Sequence, residues 1–169
     1  AHIVLAEGDN SIVFVKAAND EVTPAYIDQA VQAITAADMV LIQQEIPEET
    51  VEHVSRICAE RGVPLLLNPA PARPVKDEVI ENAAYITPNQ HEAAIMFGAG
   101  RVSEALRRYP NKLFITEGSS GVRYFDGQEE VVIPSYKVEA VDTTGAGDTF
   151  NAAFAVALAE GKPIADSVR

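Results

Sequence analysis

The sequence predicts an α/β protein, a three-layer αβα sandwich in which helices cover both faces of a mostly parallel sheet. Three observations carry this expectation. Short apolar runs alternate with stretches of helical spacing from Thr23 onward, the pattern of parallel strands joined by crossover helices. The 169 residues are 47% hydrophobic and 22% charged, which suits one domain with a buried core and is too apolar for disorder. The longest unbroken apolar run, Ala152–Ala159, has eight residues, well short of the roughly 20 that a membrane-spanning helix needs.

The elements follow in order. His2–Ala6 and Ile12–Ala17 are apolar and β-branched around Glu7-Gly8-Asp9-Asn10, which is turn chemistry, so a hairpin is expected. Thr23-Pro24 reads as an N-cap with proline at the first helical position, and Tyr26, Ile27, Ala30, Val31 and Ile34 keep helical spacing. Met39–Gln43 is a short buried strand. Pro47–Arg61 is helical, with Val51, Val54 and Cys58 on one stripe and Gly62 as its stop. Leu65–Asn68 is a strand, Pro69–Pro74 a loop, Val79–Asn82 a short helix and Tyr85–Thr87 a short strand. Asn89–Phe97 and Val102–Tyr109 are helices, Lys112–Thr116 a strand and Glu117–Gly121 a glycine-bearing loop. Val122–Phe125 and Glu130–Pro134 form a hairpin around Asp126-Gly127. Val138–Val141 is expected as a strand leading into Asp142–Asp148, and Thr149–Glu160 as a buried helix packed on the sheet. Lys162–Arg169 begins an amphipathic helix. Both ends look cut, as in a piece of a longer chain.

In parallel sheets ligands gather beyond the carboxyl ends of the strands. The loops after the five crossover strands should therefore share one rim. Composition narrows what could bind there. With 13 Lys+Arg against 25 Asp+Glu, the net charge is −12 and no basic cluster stands out, which argues against nucleic acid, whose binding rests on phosphate neutralisation. A polyphosphate ligand would have to be held by backbone N–H groups and a metal ion. The single cysteine, Cys58, cannot make an internal disulfide and suits a reducing cytosol. No leader, targeting segment or membrane element is visible. His2, His53 and His91 have no metal-ligand spacing, and Cys58 reads as core.

The sharpest local signal is Asp142-Thr143-Thr144-Gly145-Ala146-Gly147-Asp148-Thr149-Phe150. It opens a helix, and its glycines let backbone approach a ligand while unpaired N–H groups and the positive dipole end converge. Phe150 occupies the third glycine position of a dinucleotide fingerprint, and no Gly-Lys-Ser/Thr follows, so neither of those motifs applies. Asp148 stands in the first turn of this anion site. A carboxylate there either complements the dipole or accepts the proton of an alcohol nucleophile in phosphoryl transfer. Asn89-Gln90-His91-Glu92 similarly reads as a capping box or as a phosphate and metal site.

The nonapeptide resembles the C-terminal signature of the ribokinase family of carbohydrate kinases (PfkB type). Other segments agree in order and approximate spacing. Asn68-Pro69-Ala70-Pro71-Ala72-Arg73 is similar to a stretch typical of ribokinases, and Thr87–Ala93 resembles the family's Asn-x-x-Glu motif. Ile115–Val122 resembles its Thr-x-Gly-x-x-Gly loop.

The resemblance implies an ATP-dependent kinase that phosphorylates a hydroxyl of a small sugar, ribose first, with fructose, 2-keto-3-deoxygluconate or a nucleoside as alternatives. It assigns Asp148 as catalytic base and the N–H groups of Gly145, Ala146 and Gly147 as the anion hole. Asn89, Thr116, Gly118 and Gly121 would meet ATP, and Glu92 would orient Mg²⁺ through water. Glu45, like Asp148, would contact the sugar, unless Glu45 only precedes a helix as an N-terminal charge. Asp142 and Thr144 would hold a monovalent cation such as K⁺, chiefly by backbone carbonyls. Full-length relatives have about 300 residues, so the chain is expected to be one domain, 1–169, from the central to C-terminal part of a longer cytoplasmic kinase, possible as a homodimer. Its N-terminal sugar-binding and lid region would be absent, as would residues near Phe97–Val102. A truncated nucleotide-binding fragment without activity is the alternative of another class.

Overall fold

The computed structural model describes residues 2–6 and 9–169. Strands β1 (His2–Ala6) and β2 (Asp9–Val13) pair antiparallel with His2 opposite Val13. The second strand thus begins before Ile12 and ends before the expected Ala17, because only the residues facing β1 find a backbone partner. Asp9 and Asn10, expected in the turn, are paired in β2; Glu7 and Gly8 lie outside the described residues.

Thr23 caps α1 (Pro24–Asp28), its Oγ1 accepting the Tyr26 N–H at 3.3 Å, with Pro24 in the first turn. The expected continuous helix breaks before α2 (Val31–Thr35). At the junction the bonds tighten to i→i−3, from Gln29 N–H to Tyr26 O and from Ala30 N–H to Ile27 O. The α3 helix (Glu48–Arg61) starts after Pro47 with Glu48 and Glu49 at its positive end, and it stops at left-handed Gly62, φ 69°.

The central sheet runs β3 (Val40–Ile42), β4 (Leu65–Leu67) and β5 (Tyr85–Ile86), all parallel. Between β4 and β5 lies α4 (Asp77–Asn82). After β5 come α5 (Gln90–Phe97), a 3₁₀ turn at Ala99–Arg101 and α6 (Val102–Arg108). Parallel bridges Ile86–Leu113 and Asn89–Thr116 carry the sheet on to β6 (Phe114–Thr116). There β7 (Val122–Phe125) and β8 (Glu130–Ile133) extend it antiparallel, as the expected hairpin.

Alternation within the strands sorts side chains into two cores. Leu65, Leu67, Leu113 and Ile115 face α3 to α6, with Val54, Cys58, Ile80, Ala93 and Leu106 among their neighbours. Leu66 and Phe114 face the opposite layer, formed by α7 (Ala146–Ala159) and α8 (Ile164–Ser167). This is the expected three-layer sandwich. Phe154, fully buried, fastens α7 to the sheet. Its ring meets Phe114 edge-on at 4.9 Å, Tyr85 at 5.8 Å and Phe150 stacked at 5.5 Å; each such pair adds about 0.5–1.5 kcal/mol beyond burial.

Two further expectations need correction. Val138–Val141 forms no strand, and Val138 and Val141 are 79% and 97% exposed. Apolar β-branched residues make a strand only beside a neighbour with free backbone groups, and no described strand pairs with them. The α7 helix is buried on one stripe only: Asn151, Phe154, Ala155 and Ala157 face inward, whereas Ala152, Ala153, Val156 and Ala159 are exposed. No helix is long and apolar enough to cross a membrane among the described residues.

Candidate active site

The glycine turn enters α7 at the carboxyl rim of the sheet. Asp142 Oδ1 accepts the Thr144 N–H at 2.8 Å, and these bonds from Thr144 hold the Asp142 carboxyl below the usual carboxylate range. Gly145 then takes a left-handed φ of 75°, where glycine is favoured. Its carbonyl accepts both the N–H and the hydroxyl of Thr149 at 2.9 Å. Of the three amides expected in the anion hole, that of Ala146 donates to Thr143 O at 3.1 Å. The amides of Gly145, Gly147 and Asp148 have no acceptor among the described residues, as the first turn of a helix requires.

Two clefts flank this turn. One, of about 320 Å³, is lined by Gln43, Leu66, Asn68, Asp148 and Asn151. Asp148 and Asn151, three residues apart, share the helix face that looks into it. Asp148 Oδ1 accepts the Gln43 Nε2–H at 2.8 Å, and no lysine or arginine pairs with it among the described residues. The other cleft, of about 300 Å³, is lined by Thr116, Gly118, Gly121, Ala146, Gly147 and Phe150, among others. Gly118 and Gly121 bracket a 3₁₀ turn, and Gly121 (φ 101°) lies so close to β8 that a Cβ would sit 2.0 Å from Ile133 O. A third cleft, of about 190 Å³, lies under α5 and α6 and contains none of the rim residues.

Asn89 and Glu92 form the capping box of α5. Asn89 Oδ1 accepts the Glu92 N–H at 2.8 Å, and Glu92 Oε2 accepts the Asn89 N–H at 2.7 Å. Burial pushes the Glu92 carboxyl above its ordinary value, opposed by the Asn89 N–H and by His91. The Asn89–Thr116 bridge brings this box beside the second cleft. Glu92 lines neither cleft, and no cluster of three or more acidic, His or Cys side chains is poised for a metal among the described residues. Its Oε1 stays outside the capping bond, which fits a magnesium ion that keeps its waters and binds mainly through phosphate. Glu45, half-buried, accepts from Asn19 Nδ2 at 3.5 Å and lines neither cleft.

Sequence reasoning missed Gln43 and Asn151, and it treated Asn68 only as part of a motif. Their signal was positional: Gln43 and Asn68 are the first residues past β3 and β4.

A glycine-turned helix start at the rim of an α/β sandwich, with an acid on one side and a glycine loop on the other, defines a class of α/β proteins that aim free backbone amides into a rim cleft. Within that class the chain belongs to the pfkB family carbohydrate kinases, which it matches over residues 1–169. It is 66% identical over its whole length to the ribokinase of Bacillus subtilis (strain 168), of which it covers 58%, and 44% identical to that of Lactococcus lactis, of which it covers 56%. Among solved structures it is similar to Arabidopsis thaliana ribokinase complexed with ribose and ATP, with a TM-score of 0.81 and 28% identity over 96% of this chain and 56% of that one. Thermotoga maritima ribokinase gives a TM-score of 0.79 at 33% identity, covering 98% of this chain and 58% of that one. The chain thus spans little more than half the length of the relatives it matches.

Proposed function

We propose that the chain is the central to C-terminal part of an ATP-dependent sugar kinase that phosphorylates ribose. The observation that carries this reading is the division of labour across one helical turn: Asp148 faces the cleft with Gln43 and Asn68, while Ala146 and Gly147 face the cleft with Thr116, Gly118 and Gly121. Sugar occupies the first cleft and the ATP phosphates the second, so the γ-phosphoryl lies at the helix start between them. Asp148 takes the proton of the sugar hydroxyl as its oxygen bonds to the γ-phosphorus. The bond from that phosphorus to the β–γ bridging oxygen breaks and ADP leaves. The amides of Gly145 and Gly147, with Ala146 once its turn opens, stabilise charge on the transferring group. Catalysis is then mostly positioning and electrostatics.

Asn89 meets the nucleotide phosphates, and Glu92 steers Mg²⁺ through its waters. When bound, the ion would supply charge neutralisation for the phosphates. Carbonyls of Asp142 and Thr144 hold a monovalent cation such as K⁺, and Glu45 contacts the sugar. The same reading has the longer protein in the cytosol and as a homodimer, the latter testable by light scattering. High identity to ribokinases favours ribose over fructose, 2-keto-3-deoxygluconate or a nucleoside.

The test is a coupled ADP-release assay on the longer protein with each of these acceptors. Ribose should give the highest kcat/KM, and Asp148→Asn should lower kcat by about 10²–10⁴, the usual contribution of a general base. Turnover within threefold of the parent would remove Asp148 from the mechanism. ATP binding by calorimetry without phosphorylation of any acceptor would leave a nucleotide-binding module.

A further inference from the structure

We infer that Gln43 is a positioning residue for the Asp148 carboxylate: it donates to Oδ1 and so leaves Oδ2 to take the proton. This rests on the kinase reading above.

The strand register builds the arrangement. Ile42 lies opposite Leu67, and Leu67 opposite Ile86. The next residue of each strand is therefore Gln43, Asn68 and Thr87, a polar row across the carboxyl ends of three adjacent parallel strands. Asn68 Nδ2 donates to Thr87 O at 3.0 Å. That bond turns Asn68 Oδ1 toward Gln43, whose Nε2 lies 3.5 Å away. The same Nε2 reaches Asp148 Oδ1 at 2.8 Å, across 105 residues of sequence. The row thus settles which end of the Gln43 amide faces the acid, since carbonyl and amino ends are told apart by their bonding partners.

The chemistry suits a base. A neutral amide orients a carboxylate without neutralising it, whereas a paired guanidinium would bind the charge and blunt proton acceptance. Among the described residues, Asp148 is the only titratable side chain lining that cleft. Thr87 is buried, and its Oγ1 has no hydrogen-bond partner among the described residues. The row is therefore anchored by its backbone carbonyl, and its aim does not depend on a rotatable hydroxyl.

The experiment uses the longer protein with Gln43→Met, which keeps size and removes the donor, and Gln43→Glu, which donates only when protonated. For Gln43→Met, kcat should fall about 10- to 100-fold, the scale of misplacing a reacting group, with KM for sugar and ATP within twofold. Gln43→Glu should lose more at neutral pH and recover toward the acid side, where its carboxyl holds the proton it must donate. A kcat within threefold of the parent in Gln43→Met overturns the inference. So does a raised sugar KM at unchanged kcat, which would make Gln43 a substrate contact. Side-chain amide NMR reads the juxtaposition without activity: Asp148→Asn should move the Gln43 Nε2 resonances, and unmoved resonances overturn it. If the parent phosphorylates no sugar, the kinase reading fails, and the NMR arm still decides the hydrogen bond.

Discussion

The two halves of the rim are held in different ways. Gln43, Asn68 and Thr87 sit at the ends of three adjacent parallel strands, of which the central one, β4, is buried on both faces, and they bond to one another across the sheet. Residues 142–149, which carry the glycine turn and Asp148, are exposed along their whole length, and the approach to them through Val138 and Val141 is open. One half is placed by the core. The other is placed by a single helix, pinned to the sheet by Phe154. The difference teaches that chemistry and packing are recorded in different residues here. The exposed half can be changed at little cost to the fold, and the packed half cannot.

The largest effect should come where the two halves join. Phe154→Ala removes the ring that meets Phe114, Tyr85 and Phe150 and should cost about 3–5 kcal/mol in urea unfolding. A loss below 1 kcal/mol would mean that α7 is held some other way. Gly121→Ala should follow, at about 2–3 kcal/mol, because its Cβ would collide with Ile133 O at a positive φ. Thermal melts that leave this variant within a degree of the parent would show that the β7–β8 hairpin gives way freely.

Glu92→Gln should preserve the fold, changing stability by no more than about 1 kcal/mol, since an amide oxygen can still accept the Asn89 N–H. Its sign with pH is defined. Burial raises the folded-state value for Glu92, so its contribution is full below the unfolded glutamate value, about 4.3, and is lost as pH rises through the folded value. The substitution should therefore gain on the parent as pH rises from that point, and unfolding curves at several pH values read it. In the longer protein the same change should raise the Mg²⁺ requirement; an unchanged Mg²⁺ titration with lost stability would leave Glu92 as a cap alone. The smallest effect belongs to the open segment. Val141→Ser in the 169-residue chain should shift stability by no more than about 0.5 kcal/mol, and a loss above 1 kcal/mol would reveal packing there.

This division also explains what could be read from sequence. Gly145, Gly147 and Asp148 form a compact local pattern, because a ligand dictates their order within one turn. Helix starts at Thr23 and Asn89 and the stop at Gly62 were legible for a similar reason, since caps are local hydrogen-bond chemistry. The role of Gln43 was not legible, because its partner lies 105 residues away and only strand register brings them together. Val138–Val141 misled because apolar alternation states a preference, and a strand also needs a neighbour. The split between α1 and α2 escaped as well, since Gln29-Ala30 carries no glycine or proline to mark it.

Cys58 is the chain's sole cysteine; it is wholly enclosed where α3 meets the sheet, and its enclosure pushes the thiol upward, away from the reactive thiolate. A thiol-selective dye should therefore stay dark on the intact molecule and report, one label per chain, each time that helix lifts away. The protein carries its own gauge of breathing, placed on the face of the sheet opposite the acid.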